Sequence, residues 1–198
     1  MGKLTLHQRG RVCHTAGMSD LGRGYHWSIL LLALVVGCTN DKPTNGKTVE
    51  LERIAFELPT GWKPETPSSK MRVAQAKIPG EAGPAELAVF FFGEGQGGGA
   101  EENIRRWISQ VEFAPGSSTG REQFDVRGFL ITWVNFEGTL KASPMSGGPS
   151  AAQPNSRLLG AVVEGPGGPW FFKATGPSAT LAPQRDAFIQ MLESIRGK

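Results

Sequence analysis

Imidazole and thiol carry much of the chemistry that side chains perform, and this chain places every one of them near one end. His7, His14 and His26 all precede Cys38, and the two cysteines are Cys13 and Cys38. From Thr39 onward neither residue type occurs. That removes serine–histidine and cysteine–histidine nucleophilic machinery and the His/Cys ligand sets of zinc. The aspartates beyond that point, Asp41, Asp125 and Asp186, are far apart and lack the Asp-x-Asp-x-Asp-Gly spacing of a calcium loop. No catalytic, cofactor-binding or metal-ligating residue is therefore nominated in the body of the chain. Carboxylates acting alone remain a chemical option, as in glycoside hydrolysis, and Glu137 and Glu164 are the candidates on strands.

Two short motifs match catalytic or nucleotide-binding patterns by letter. Gly116-Ser117-Ser118-Thr119-Gly120 fits G-x-S-x-G, but its serine has no histidine base and no apolar strand leads into it, so it reads as a loop. Gly93-Glu94-Gly95-Gln96-Gly97-Gly98 fits G-x-G-x-x-G between a strand and a helix. A pyrophosphate there would meet the negative charge of Glu94, Glu101 and Glu102, and no parallel strand follows the helix. It reads as a glycine-rich turn.

The thiol of Cys38 is the chain's clearest chemical site. It closes the run Trp27-Ser28-Ile29-Leu30-Leu31-Leu32-Ala33-Leu34-Val35-Val36, which at ~1.5 Å per residue is too short for a bilayer core needing ~20 residues. A short apolar run behind basic residues and before a small residue is the export-signal pattern. Counted from Met18, its polar forerun has ordinary length. Leu34-Val35-Val36-Gly37-Cys38 resembles the lipobox of bacterial lipoproteins. The resemblance implies cleavage between Gly37 and Cys38, diacylglycerol on the Cys38 thiol and acylation of the new amino terminus. Several chains of the palmitate kind hold a protein stably where one does not. The expectation is an exported protein anchored by lipid at a periplasmic face or cell surface, at the outer membrane if the host has one.

Charge agrees with that partition. The whole chain carries 21 basic and 18 acidic residues. Lys3, Arg9, Arg11, Arg23 and Asp20 lie ahead of Cys38, leaving 17 basic and 17 acidic residues behind them. A neutral body lacks the clustered positive footprint that nucleic acid requires. The expected organisation is a leader over residues 1–37, a lipidated tether over 38–48 and a single domain over 49–198.

The elements that would build this domain follow from periodicity. Strands are expected at Val49–Leu58, Met71–Ile78, Leu87–Phe92, Gln123–Val126, Gly128–Leu140, Arg157–Glu164 and Trp170–Thr175, mostly antiparallel. A helix is expected at Glu101–Glu112, with Ile104, Trp107, Ile108 and Val111 as its buried stripe and Glu101/Arg105 and Glu102/Arg106 as i,i+4 pairs. A second is expected at Leu181–Arg196, burying Phe188, Leu192 and Ile195. Ala142 to Asn155, rich in Ser, Pro, Gly and Ala, reads as a loop. Runs such as Val89-Phe90-Phe91-Phe92 and Ala161-Val162-Val163 do not alternate, so both sheet faces should be covered. The fold class is α+β, a mostly antiparallel sheet with helices on both faces, an α/β/α sandwich. Trp62, Trp107, Trp133 and Trp170 read as packing, with a ligand platform as the other option.

Residues from about Ile54 to Arg196 resemble the PsbP-like sandwich. The carriers are Phe56-Glu57-Leu58-Pro59-Thr60-Gly61-Trp62, Trp170-Phe171-Phe172-Lys173-Ala174-Thr175-Gly176-Pro177 and Phe188-Ile189-Gln190-Met191-Leu192-Glu193-Ser194-Ile195-Arg196. The resemblance implies a non-enzymatic binding or assembly module with a protein partner in the envelope, and it supplies no catalytic residue. Histidines that hold metal in some members have no counterpart here. The rival expectations are a carboxylate-only glycan hydrolase and a carrier of small lipophilic ligands.

Overall fold

The computed structural model describes residues 46–113, 115–117, 119–142 and 149–198. Cys38, Gly37, the leader and most of the tether lie outside the described residues.

Eight antiparallel strands form the main sheet. In spatial order they are β3 (Lys63–Glu65), β4 (Arg72–Ile78), β5 (Ala85–Phe91), β10 (Trp170–Pro177), β9 (Gln153–Glu164) and β8 (Phe129–Leu140), with β6 (Val111–Glu112) and β7 (Thr119–Val126) sharing the outer edge of β8. Each of the central strands presents one side chain set to each of two cores, which is why they do not alternate between apolar and polar. On one face Leu87, Val89, Phe172, Ala161, Ile131 and Trp133 meet Phe56, Leu58, Phe188 and Leu192. On the other Val134, Phe136, Leu158, Val162 and Phe171 meet Ile104 and Trp107.

The covers differ from the expected pair of helices. One is the helix α1 (Ala100–Ser109). The other is a second sheet of three strands, β1 (Lys47–Glu50), β2 (Ile54–Leu58) and β11 (Arg196–Gly197), together with the helix α3 (Arg185–Glu193). The expected strand Val49–Leu58 is thus two strands folded back on each other, with Val49 facing Phe56 and the Leu51 amide donating to Ile54 O at 2.8 Å. Lys47 and Thr48 belong to β1 rather than to a tether.

Both expected helices are shortened for local reasons. The second breaks into α2 (Ser178–Leu181), a 3-10 turn (Ala182–Gln184) that contains Pro183, α3, and then the strand β11. Proline has no amide to donate, so the helical ladder is interrupted there. Arg196 leaves the helix and pairs with Glu57 at 3.0 Å. In α1 the buried residues are Ala100, Asn103, Ile104 and Trp107; Ile108 is 43% exposed, whereas Val111, though it belongs to β6, is buried beside Ile104 and Trp107 as expected. The stripe is rotated because Asn103 is held inward, its amide donating to the carbonyls of Gly97 (2.9 Å) and Gly99 (3.0 Å). Glu101 pairs with Arg121 of β7 rather than with Arg105. The loop expected over 142–155 ends earlier, since Gln153 already opens β9.

Candidate functional site

The residues singled out by chemistry are not assembled into a catalytic group. Glu137 lies on β8 directly across from Arg157 on β9, and the two form an ion pair. Asn135 accepts from Arg157 Nη1 at 2.6 Å, and Ser178 donates to Glu137 at 2.7 Å. Glu164 sits opposite Leu130. That is seven ladder positions from Glu137, roughly 23 Å at ~3.3 Å per residue, and on the opposite face. Paired glycosidase carboxylates stand about 5–9.5 Å apart, so these two cannot share a scissile bond. Among the described residues no three His, Cys, Asp or Glu side chains converge to hold a metal ion.

The letter motifs are structural elements. Gly116 and Ser117 lie in a turn, Ser118 is outside the described residues, and Thr119 and Gly120 begin β7. The glycine-rich segment joins β5 to α1 with Gly97 at φ +91°, where a Cβ would sit 2.7 Å from the Phe171 ring. Its Glu94 pairs with Arg53 at 2.8 Å. The tryptophans are split between the two cores, Trp107 in one and Trp62, Trp133 and Trp170 in the other, so they do not make a common platform.

Glu137 forms part of the wall of a groove of about 1020 Å³ at one end of the sheet, which Arg72, Glu86, Pro154, Ser156 and Ser178 also line. Arg157 is buried, so its guanidinium depends on these partners. Glu137→Ala is expected to lower stability by about 1–2 kcal/mol, less than a fully buried pair would because the Glu137 carboxylate is half in water. Urea titration checks this, and Glu137→Leu combined with Arg157→Met should recover part of the loss.

A different arrangement lies alongside α1. Lys173 stands in the middle of β10 between Ala88 of β5 and Gly160 of β9. Those two small neighbours leave room on this face for Trp107, seated over Gly160, and for the lysine beside it. Lys173 Nζ donates to Gln110 Oε1 at 2.6 Å, and among the described residues it has no carboxylate partner. Burial pushes its pKa down to about 8, and the positive charge of Arg72 acts in the same direction. Arg72 reaches Glu86 at 2.7 Å and Gln75 at 2.8 Å, with its guanidinium 6.0 Å from the centre of the Phe90 ring.

The strip continues along β5. Phe90 stacks on Phe92 with centroids 6.2 Å apart, and Phe92 leans on Phe171 at 5.7 Å. Phe92 is 44% exposed although it follows the most apolar strand of the chain. Beside it a hollow of about 370 Å³ is lined by Gln96, Gly98, Glu102 and Arg106. Asn103, Arg106 and Gln110 follow i, i+3 and i+7 spacing and so run down one side of α1. The result is an open trough. Its floor is Phe92, Phe90 and Lys173, its walls the edge of α1 and Arg72 of β4.

A search of the solved structures finds the solution structure of cyanobacterial PsbP (CyanoP) from Synechocystis sp. PCC 6803, with TM-score 0.51 and 11% identity over 83% of this chain and 99% of that one. The fold is PsbP-like. No family model matches the chain, and no curated protein does. The likeness concerns the sandwich alone, and the side chains of the trough have to be read on their own.

Lys173 is the functional candidate that reading by catalytic residue type passes over. Its signal is present in the sequence, as a single cation within Trp170-Phe171-Phe172-Lys173-Ala174, a strand expected to be covered on both faces. A charge in such a place requires a partner, and the structure supplies the uncharged Gln110 in place of a carboxylate.

Proposed function

We propose that the chain is a lipoprotein whose folded body is a non-catalytic binding or assembly module, held at an envelope membrane by acyl groups on Cys38. The observation that carries the anchor is the short apolar run ending in Leu34-Val35-Val36-Gly37-Cys38. No helix among the described residues is long and apolar enough to cross a membrane. For the binding role, the support is the trough beside α1, where an ammonium with no carboxylate partner among the described residues stands near a half-exposed aromatic stack. Lys173 and Phe90 stand on strands, which hold them in fixed geometry. The PsbP-like fold agrees with a scaffold that presents a surface.

Labelling with a radioactive fatty acid tests the anchor. The full chain should take up label and be cleaved before Cys38, and Cys38→Ala should do neither. Continued incorporation into Cys38→Ala would refute the assignment.

A further inference from the structure

The occupant of the trough can be read from its charges and its shape. Lys173 of β10 and Arg72 of β4 stand beside Phe90, and Arg106 of α1 lines the hollow next to Phe92. The carboxylates nearby are Glu86, taken by Arg72, Glu65 of β3, which accepts from Gln75 at 3.2 Å, and Glu102 at the far end beside Phe92. Lys173 Nζ offers three donors and uses one on Gln110. A part-buried ammonium without a counter-charge is costly, and a carboxylate brought from outside would relieve that cost. Next to it, Phe92 and Phe90 present an apolar shelf.

The shape favours a protein segment over a small ligand. Small-molecule sites enclose most of their occupant, whereas the hollow of about 370 Å³ at Phe92 is shallow and open to solvent. An anionic bilayer is disfavoured by Glu86 and Glu102 at the rim and by the small apolar area on offer.

We propose that the trough between α1 and β4–β5 binds an extended segment of a partner protein in which a side-chain carboxylate stands close to an apolar or aromatic residue. The carboxylate closes on Lys173 and Arg72, and the apolar residue lies on Phe90 and Phe92. This deepens the binding-module reading and rests on it. Binding of the carboxylate holds the proton on Lys173, so affinity is flat between about pH 5.5 and 7.5, falls by up to about tenfold per unit above pH ~8, and falls again where the partner's carboxylate protonates below about pH 5.

Selection of displayed random peptides on the full chain tests the proposal. Enriched sequences should carry Asp or Glu within about three residues of Phe, Leu or Met. As synthetic peptides they should bind at least tenfold more weakly after Glu→Gln exchange, to Lys173→Met protein, and at pH 9. Phe92→Ser should also weaken them. Enriched peptides without acids, equal binding to folded Lys173→Met protein, binding to anionic vesicles alone, or no enrichment would each overturn it. Failure of the anchor shows separately, since a chain without fatty-acid label can still bind peptide, and a labelled chain that binds none rejects only the trough.

Discussion

Lys173→Met is expected to stabilise the protein at pH 7, by roughly 2 kcal/mol, or a rise in melting temperature of about 4–8 °C for a domain of this size. The cause is the downward displacement of the lysine from 10.5 to about 8, which burial produces and Arg72 reinforces. The sign follows from proton counting. Below pH 8 the amine is charged in both the folded and the unfolded chain, and the full penalty of holding that charge out of water is present. Between about pH 8 and 10.5 the unfolded chain still binds the proton that the folded chain has lost, so stability rises with pH. Above 10.5 both are neutral and the penalty has gone. The whole displacement corresponds to ~3 kcal/mol at about 1.4 kcal/mol per unit. Part of the ammonium remains hydrated and the bond to Gln110 is lost in the variant, which brings the figure down. Urea titrations of both proteins at pH 7 and pH 10 check it, and the gap between them should shrink at the higher pH. A variant less stable at pH 7, or a gap independent of pH, would show that the amine is not under strain. Methionine keeps the length of the apolar stem, so packing against Ala88 and Gly160 changes little. A residue that destabilises its own fold is what a binding surface retains, and the same substitution is predicted to weaken peptide binding at least tenfold.

The sheet was legible because burial on both faces writes itself into composition. Val89 through Phe91, Ile131 through Val134 and Ala161 through Val163 serve two cores at once, which a strand with one solvated face does not. What could not be read were elements held by backbone pairing instead of apolar side chains. The strand β1, Lys47-Thr48-Val49-Glu50, is almost wholly exposed, and β3, Lys63-Pro64-Glu65, is exposed throughout. Their composition looks like loop, and only the register with β2 and β4 makes them strands. The cover on the second face depends on the first of these, so the small sheet was missed where a helix was expected. The rotation of α1 has a related origin. Apolar periodicity placed Ile108 inward, but a polar residue, Asn103, outweighs it by satisfying the carbonyls of the glycine turn. The candidate site was hidden for a further reason. Catalytic types are searched by identity and spacing, whereas the trough is composed from three strands and a helix through cross-strand register, which no linear spacing encodes.

Gly160→Val is expected to lower stability by about 3–4 kcal/mol. Glycine in mid-strand is ordinarily a weakness, and valine in its place would be favoured by as much as ~1 kcal/mol through backbone entropy and strand preference. Here a Cβ would sit 2.7 Å from two ring carbons of Trp107 and 3.2 Å from Leu158. The indole cannot slide away, because Trp107 is 5% exposed and α1 is pinned at one end by Asn103. Overpacking a site of this kind usually costs about 1–3 kcal/mol, and the second methyl of valine extends the clash. The helix must then lift from β9. Gln110, on the next turn, would withdraw from Lys173 and the trough would lose one wall. The loss should therefore be coupled to Trp107. Gly160→Ala is expected to cost about 2 kcal/mol alone and to lose at least half of that cost in a Trp107→Leu background, a coupling that a double-mutant cycle in urea measures directly. Additive losses in that cycle would mean that the glycine is required by the strand and not by the helix above it. The chromophore offers a second reading of the same event, since a lifted α1 exposes Trp107 and shifts its emission to the red, while the remaining body tryptophans stay in the opposite core.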